Sequence, residues 1–427
     1  MKKISLILFL CIIAFSILGA EDKSVIKLIP VYEKTFQDTI VDVIFDTATV
    51  SISEAKAMGW KEEAFNEEER AKGEATISYP KVVLIGSPFP IDSKVKGIKF
   101  FNSQGNLIKF LKVQKMEGVY ISPNSKYILI GKWPDEEHIE RQGGKLYNSN
   151  GDILTTFNRY FPLAVSDNGY VIAGELQYET EAPGDFVFYD PSGKEIGRVH
   201  NPLRNDAEGW SWAIFEEGGN NAFIGYTNTD TKSVILYTTI TGKKIWGTSL
   251  NYASTFPYEL GYCEDYAIGT GYIYNCNKAR FEKYCIWAIN KKDGKLKWEL
   301  GTENLGNTAI KINKTSKYIY LSSCLNGEVL KIEIDSGKIL WRYKLSGGSP
   351  LLFSDLKVIN DTLYTIGKEG GRNWHSSTLF VFDGENGKLL KKVEYPLEKI
   401  TFAKCKEGIG LINITKRKMY IFKKVQK

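Results

Sequence analysis

The sequence predicts an all-β ring of four-stranded antiparallel blades, a β-propeller, and three observations predict it. A short β-type run, a polar turn carrying glycine and a second β-type run recur seven times along the chain. The turn glycines are Gly105, Gly151, Gly193, Gly242, Gly294, Gly337 and Gly387, on average about 47 residues apart. A further hairpin precedes several of these units, as in the segments beginning at Tyr120, Ala164 and Ile312, so one period holds four strands. Four strands in a period of this length make one propeller blade.

The turns are justified residue by residue. Glycine is needed where the backbone takes a positive φ, which is costly for any side chain with a Cβ. Asn102, Asn148 and Asp190 stand three residues before their glycines, where a short polar side chain can bond the backbone of its own turn. Counting strands gives the blade number. After the seventh repeat three strands remain, near 400–405, 409–414 and 419–425. Left alone they would expose an edge that invites aggregation. An early strand, 25–33 or 40–45, can supply the fourth. Eight blades are therefore expected, closed by pairing an N-terminal strand with the C-terminal strands; seven is the alternative. The expected layout is a leader at 1–20, an N-terminal extension at 21–74 with the closing strand and a short acidic helix, and the propeller at 75–427. Residues 61–72 (KEEAFNEEERAK) supply that helix by propensity.

Three copies carry tryptophan four residues after the turn glycine: Trp246, Trp298 and Trp341. With Thr241, Ser336, Ala288 and Asp383 in neighbouring slots, they resemble the quinoprotein-type (PQQ-like) propeller repeat, and in particular its non-enzymatic members. The resemblance implies that the three tryptophans dock between adjacent blades. The first three copies depart from the pattern, with Lys109, Thr155 and Gly197 in the tryptophan slot. The quinone enzymes of that family resemble one another in an adjacent cysteine pair and a calcium held by Glu, Asn and Asp. This chain has no adjacent cysteines, so the resemblance implies the fold without the PQQ cofactor.

Composition narrows the function classes. The 427 residues are 43% hydrophobic and 25% charged, which excludes a disordered, collagen-like or polytopic membrane protein. The net charge of +6 is small for this length and makes no case for nucleic-acid binding. Lys2 and Lys3, an apolar run to Leu18 and small Gly19 and Ala20 read as a secretory signal, so the chain is expected to be exported to a periplasmic, extracellular or envelope location. An uncleaved anchor is the alternative reading of that run. Once the leader is removed, no membrane span is expected. Cys276 and Cys285 are the candidate disulfide, with Cys263 a rival partner for either.

Candidate chemistry is sparse. His138, His200 and His375 are all the histidines, and no GxSxG, HExxH or P-loop motif occurs. The carboxylates of 135–140 around His138 offer oxygens of the kind a structural Ca²⁺ takes, without the ordered alternation of a calcium loop. Two clusters fall between repeats, Trp210 with Trp212 and Arg372 with Trp374, and are the candidate face-loop contacts. The sequence favours an exported, monomeric binding or scaffold module for a protein or ligand at a propeller face, with no catalytic residue and no cofactor assigned. Two alternatives stand beside it. One is a quinone-dependent oxidoreductase or carboxylate-based hydrolase or lyase. The other is a component of an envelope assembly or sensing complex.

Overall fold

The structure, a computed structural model, describes residues 27–425 apart from 87–94, 115–116, 133–142, 178–181, 204–208, 229–232, 252, 255–260, 263–264, 276–279, 303–307, 313–317, 324–327, 345–355, 368–375 and 404–408. Its strands form eight antiparallel sheets. Seven follow the chain in order: blade 1 (40–112), blade 2 (117–157), blade 3 (161–199), blade 4 (209–250), blade 5 (253–302), blade 6 (308–344) and blade 7 (356–395). The eighth is composite. Its first three strands are Ile400–Ala403, Ile409–Asn413 and Lys418–Val425, and its outermost strand is Lys27–Thr35 from the other end of the chain.

The expected eight-blade ring, closed by an N-terminal strand, is the observed one. The closing ladder runs antiparallel from Lys27 opposite Val425 to Thr35 opposite Lys418, with one irregularity between Pro30 and Tyr32. Proline lacks an N–H to donate, and an outermost strand tolerates it for that reason. An ion pair and a hydrogen bond reinforce the seam: Lys418 reaches Glu33 at 2.6 Å, and the Arg417 guanidinium donates to the Gln37 carbonyl.

The alternation of residues in each strand explains why blades stack. A blade has two apolar faces, and each face packs on a neighbour rather than on water. Eight apolar clusters result, each shared by two successive blades. One joins Phe100 of blade 1 to Ile128 of blade 2, another Phe188 of blade 3 to Ile224 of blade 4, another Ile286 of blade 5 to Leu321 of blade 6. The ring-closing cluster sets Val31, Ile412 and Met419 of blade 8 against Ile40, Val43 and Val83 of blade 1. Outer strands are the wet ones. Leu107, Ile108 and Phe110 are about half exposed, but Lys109 and Lys112 interrupt that edge, as charges do on strands that must not pair further.

The N-terminal layout differs from expectation. The strand Ile40–Ser51 is the first strand of blade 1, paired along its length with Glu74–Gly86, so the propeller does not begin at residue 75. The acidic segment is an insertion in that first hairpin. It is not one helix over 61–72 but α1 (Ile52–Ala57), a 3-10 turn at Glu62–Ala64 and α2 (Glu67–Lys72). Two capping boxes account for the break: Ser51 caps α1 with Glu54, and Asn66 caps α2 with Glu69. Asn66 satisfies the N–H groups of a new helix start, and Phe65 leaves the surface to join Ala55, Ala75 and Ile77 beneath the insertion.

Deletion of residues 27–35 is expected to leave the Lys418–Val425 edge unpaired and to make the protein aggregate. Size-exclusion chromatography of the truncated chain checks this; an unchanged monomer with the original melting temperature counts against the closure. Alkaline stability gives a second test. Burial pushes the Tyr320 hydroxyl up to about 12, with Asp361 adding to it, and burial does the same to Tyr364. The unfolded chain releases these protons near pH 10 and the folded ring only near 12, so their contribution is complete below pH 10 and lost between pH 10 and 12. Each such tyrosine lowers stability by roughly 1.4 kcal/mol per pH unit in that window. Denaturant melts at pH 9 and 11.5 should show the fall, and Tyr364→Phe should reduce its slope.

Candidate functional site: the two faces of the ring

In a four-stranded meander the first and third turns lie at one end of the blade, and the second turn and the link to the next blade lie at the other. The ring therefore has two unlike faces. On one face the third turns are short in every repeat: Phe101 to Leu107, Asn148 to Ile153, Tyr189 to Glu195, Thr239 to Lys244, Asn290 to Leu296, Glu333 to Ile339 and Asp383 to Leu389. On the other face the connections vary, from Leu250 to Ala253 between blades 4 and 5 up to Lys132 to Gly143 in blade 2 and Lys344 to Leu356 between blades 6 and 7.

The short-turn face is a chain of clasps. In blades 1–6 the residue four positions after the turn glycine meets the turn of the next blade. Trp246 lies on Gly294, Trp298 on Gly337 and Trp341 on Gly387. Each indole N–H donates to the carbonyl three residues before that glycine: Trp246 to Lys291 at 2.6 Å, Trp298 to Ile334, and Trp341 to Gly384 at 3.2 Å. The slot keeps its geometry where tryptophan is missing. Lys109 touches Gly151, Thr155 touches Gly193 and bonds the Ser192 carbonyl, and Gly197 lets the Thr241 carbonyl come where a Cβ would stand. Further bonds tie the same face. Asp167, 3% exposed, accepts from the Asn124 backbone N–H of blade 2 at 2.6 Å and from Gly218 of blade 4 at 3.0 Å. Glu216 of blade 4 pairs with Lys291 of blade 5 and accepts from Tyr237 at 2.7 Å. Buried Lys331 of blade 6 donates to the Gly384 carbonyl of blade 7 at 2.7 Å and lies 4.0 Å from the Tyr318 ring centre; burial pulls its ammonium below the usual lysine range.

The opposite face holds a preformed polar cluster on blade 3. Asp185, 4% exposed at its side chain, accepts from His200 Nδ1 at 2.7 Å and from the Asn201 backbone N–H at 3.1 Å. Arg198 stands 3.9 Å from Asp185 and 3.7 Å from Glu175, and donates to the Tyr160 hydroxyl at 2.9 Å. Its guanidinium carbon lies 5.4 Å from the Tyr160 ring centre. The hydrogen bond from Arg198 to Tyr160 holds the guanidinium protonated ahead of its carboxylate neighbours. The result is one buried carboxylate that orients an imidazole 80% exposed to solvent, beside an arginine braced by tyrosine. Arginine and tyrosine held in place lose little entropy on contact, which suits recognition of a partner.

The candidates read from the sequence fare unequally. Trp212 is not a face-loop residue. It lies in the inner strand Gly209–Phe215, 3% exposed, packed with Phe223 and Trp287 between blades 4 and 5, because alternation along that strand turns it inward. Trp210 lies in the same strand. Arg372, Trp374, His138 and His375 lie outside the described residues. Cys285 is buried opposite Gly271. Cys276 lies outside the described residues, while its neighbour Asn275 pairs with Arg280, four rungs along the ladder from Cys285. Asp185, Glu175 and Arg198 were not singled out from the sequence; single polar residues inside strands carry no spacing signal. Among the described residues no group of three or more His, Cys, Asp and Glu side chains is placed to hold a metal ion, and no helix is long and apolar enough to cross a membrane.

Comparison with known proteins bears on the repeat. The sequence model of the family described as "Outer membrane protein assembly factor BamB" matches residues 184–396, from the third strand of blade 3 to the end of blade 7. These blades carry the PQQ-like propeller repeat. The match spans just under half of the chain and includes every PQQ-type tryptophan clasp. No curated protein matches the chain significantly. Among solved structures, the Dos1 propeller is similar at a TM-score of 0.55 and 11% identity, over 92% of this chain and 95% of that one. Apo AztD from Citrobacter koseri matches at 0.47 and 12%, over 75% and 88%. The dihydro-heme d1 dehydrogenase NirN in complex with DHE matches at 0.37 and 12%, over 73% and 72%. At such identities the likeness is one of fold.

Replacing a PQQ-type tryptophan should loosen one seam. Trp246→Ala is expected to cost about 3–5 kcal/mol, the range for emptying a buried tryptophan site. Gly337→Ala should also destabilise, because the position has φ +70° and a Cβ would stand 2.8 Å from the Trp298 ring. Urea melts of the two variants check both. Asp185→Ala is expected to destabilise by about 2–3 kcal/mol, less than for a fully buried pair because His200 is exposed. Unchanged urea midpoints would show that the cluster carries no load.

Proposed function

We propose that this chain is an exported propeller that binds a partner protein through the face of variable connections, and that it serves as a scaffold in the cell envelope. The observation that carries this reading is the PQQ-like repeat of blades 3–7, matched by a family described as an outer-membrane protein assembly factor. The architecture supports it. Clasps on the short-turn face hold the ring rigid, and a rigid ring presents its other face without paying for order at binding. The Tyr160, Asp185, Arg198 and His200 cluster belongs to that face, and its braced arginine and exposed imidazole are the contacts we assign to the partner. The basic start and apolar run of 1–20 support export, with the mature chain beginning at Glu21. No cofactor enters this reading.

The test is crosslinking and pull-down with the tagged chain from envelope extracts of the source cells. The wild-type protein is expected to retain a partner that an Arg198→Ala/His200→Ala variant retains at least about tenfold less, the size of one or two hot-spot contacts. Retention of nothing above control, or equal retention by the variant, overturns the assignment. Intact mass of the envelope-derived chain should match a start at Glu21; a chain that keeps residues 1–20 counts against cleavage.

A further inference from the structure

The helical insertion borders a cavity of about 180 Å³. Its apolar walls are Val31 of the closing strand, Ile421 and Phe422 of that strand's partner, Ile77 of blade 1, and Trp60 and Phe65 of the insertion. Exposed Asn66 and Thr76 and half-exposed Glu69 also line it, so it opens to solvent at the start of α2. The walls are fixed in place. The Lys61 N–H donates to the Val31 carbonyl at 2.9 Å, and the Trp60 ring lies 5.2 Å from the Tyr32 ring between centres. Apolar walls open to water mark a place of contact with another molecule. The insertion stands in the first turn of blade 1, on the short-turn face and away from the blade 3 cluster, so this surface is independent of the partner-binding reading above. The rim also has a sign. Residues 52–74 carry seven glutamates against four lysines and arginines, a net charge of −3 on a chain whose total is +6. Glu62 is spent on Lys56 and Arg70, and Glu68 on Lys72. Glu63 and Glu67 are exposed, have no ion-pair partner among the described residues, and adjoin the lining positions Ala64 and Asn66.

We propose that this cavity docks a segment of a partner protein in which one phenylalanine or leucine is flanked by lysine or arginine. Size sets the anchor: a cavity of about 150 Å³ holds benzene, so this one takes a single phenylalanine ring or a leucine side chain. Charge sets the flanks. The free carboxylates of Glu63 and Glu67 attract basic neighbours of the anchor and repel acidic ones. A preformed apolar pocket ringed by complementary charge is the arrangement in which one buried anchor carries most of the binding. Because the walls join both chain ends to blade 1, an occupant also bridges the closing seam.

The probe is a capped pentapeptide with phenylalanine between two pairs of lysines, titrated into the ¹⁵N-labelled full chain at low salt while the indole N–H resonances are followed. The Trp60 resonance is identified by its loss in Trp60→Phe. It is expected to shift saturably below about 5 mM peptide. The same peptide with alanine at its centre should bind roughly ten- to a hundredfold more weakly, the share of a buried phenylalanine ring. A phenylalanine peptide flanked by glutamates should not bind. Glu63→Lys/Glu67→Lys, at two exposed positions, should invert that preference and make the glutamate-flanked peptide the tighter one. Ala64→Leu narrows the cavity and should abolish the shift while the remaining indole signals stay in place. Any of five results overturns the proposal. Three concern the peptides: no saturable shift of Trp60, equal affinity of the phenylalanine and alanine peptides, or a charge preference unchanged by the double reversal. The other two reveal a different occupant. Nuclear Overhauser contacts from Val25 or Ile26 to the Trp60 ring in the free chain would make it the chain's own N-terminal segment. A dimer in sedimentation that Ala64→Leu dissociates would make it a second copy.

Discussion

A propeller has no single core, so everything in this structure depends on the apolar seam between one blade and the next. Each sheet twists, and a twisted four-stranded sheet buries both faces only if its neighbours do the same. Eight seams then have to close together, and the last of them is made by residues from opposite ends of the chain: Val31 with Met419, Ile40 and Val43. The ladder from Lys27–Val425 to Thr35–Lys418 is the hydrogen-bonded half of that closure, and the cluster is its hydrophobic half. Neither suffices alone, because a two-strand pairing is marginal in water and an unpaired edge is sticky.

The two faces of the ring follow from the same seam. At the short-turn end, blades approach so closely that the residue four beyond the turn glycine must deal with the next blade's turn. Tryptophan fills the gap in blades 4–6 and donates its N–H across it; Lys109, Thr155 and Gly197 fit smaller or closer spaces in blades 1–3. That end is committed to structure. At the other end the connections differ in length from blade to blade. The Asp185–His200 pair with Arg198 lies at that end.

Much of the fold was legible because repetition amplifies weak signals. A single Gly-containing turn says little, but seven at one spacing specify a blade, and the count of leftover strands specifies the closure. The expected single helix over 61–72 is interrupted, since five glutamates over 62–69 favour helix while Phe65 turns inward onto Ala55, Ala75 and Ile77. Trp212 was misread for a related reason. Between repeats a tryptophan pair looks like loop, and only the pairing of Gly209–Phe215 with Asn221–Asn228 makes it strand.

What the sequence by itself determined is the ring: all-β, eight blades, closed between the termini, with tryptophans at a repeating slot. Periodicity and turn chemistry are local, and a local signal repeated along the chain needs no tertiary knowledge. Only the tertiary structure decided where polar groups meet. Asp185 and Arg198 come from neighbouring strands of blade 3, and Tyr160 from the link that precedes it. Such meetings depend on register and on which blades become neighbours, and closure joins residues nearly four hundred positions apart. The opening fold class therefore stands on pattern, whereas both candidate sites stand on geometry.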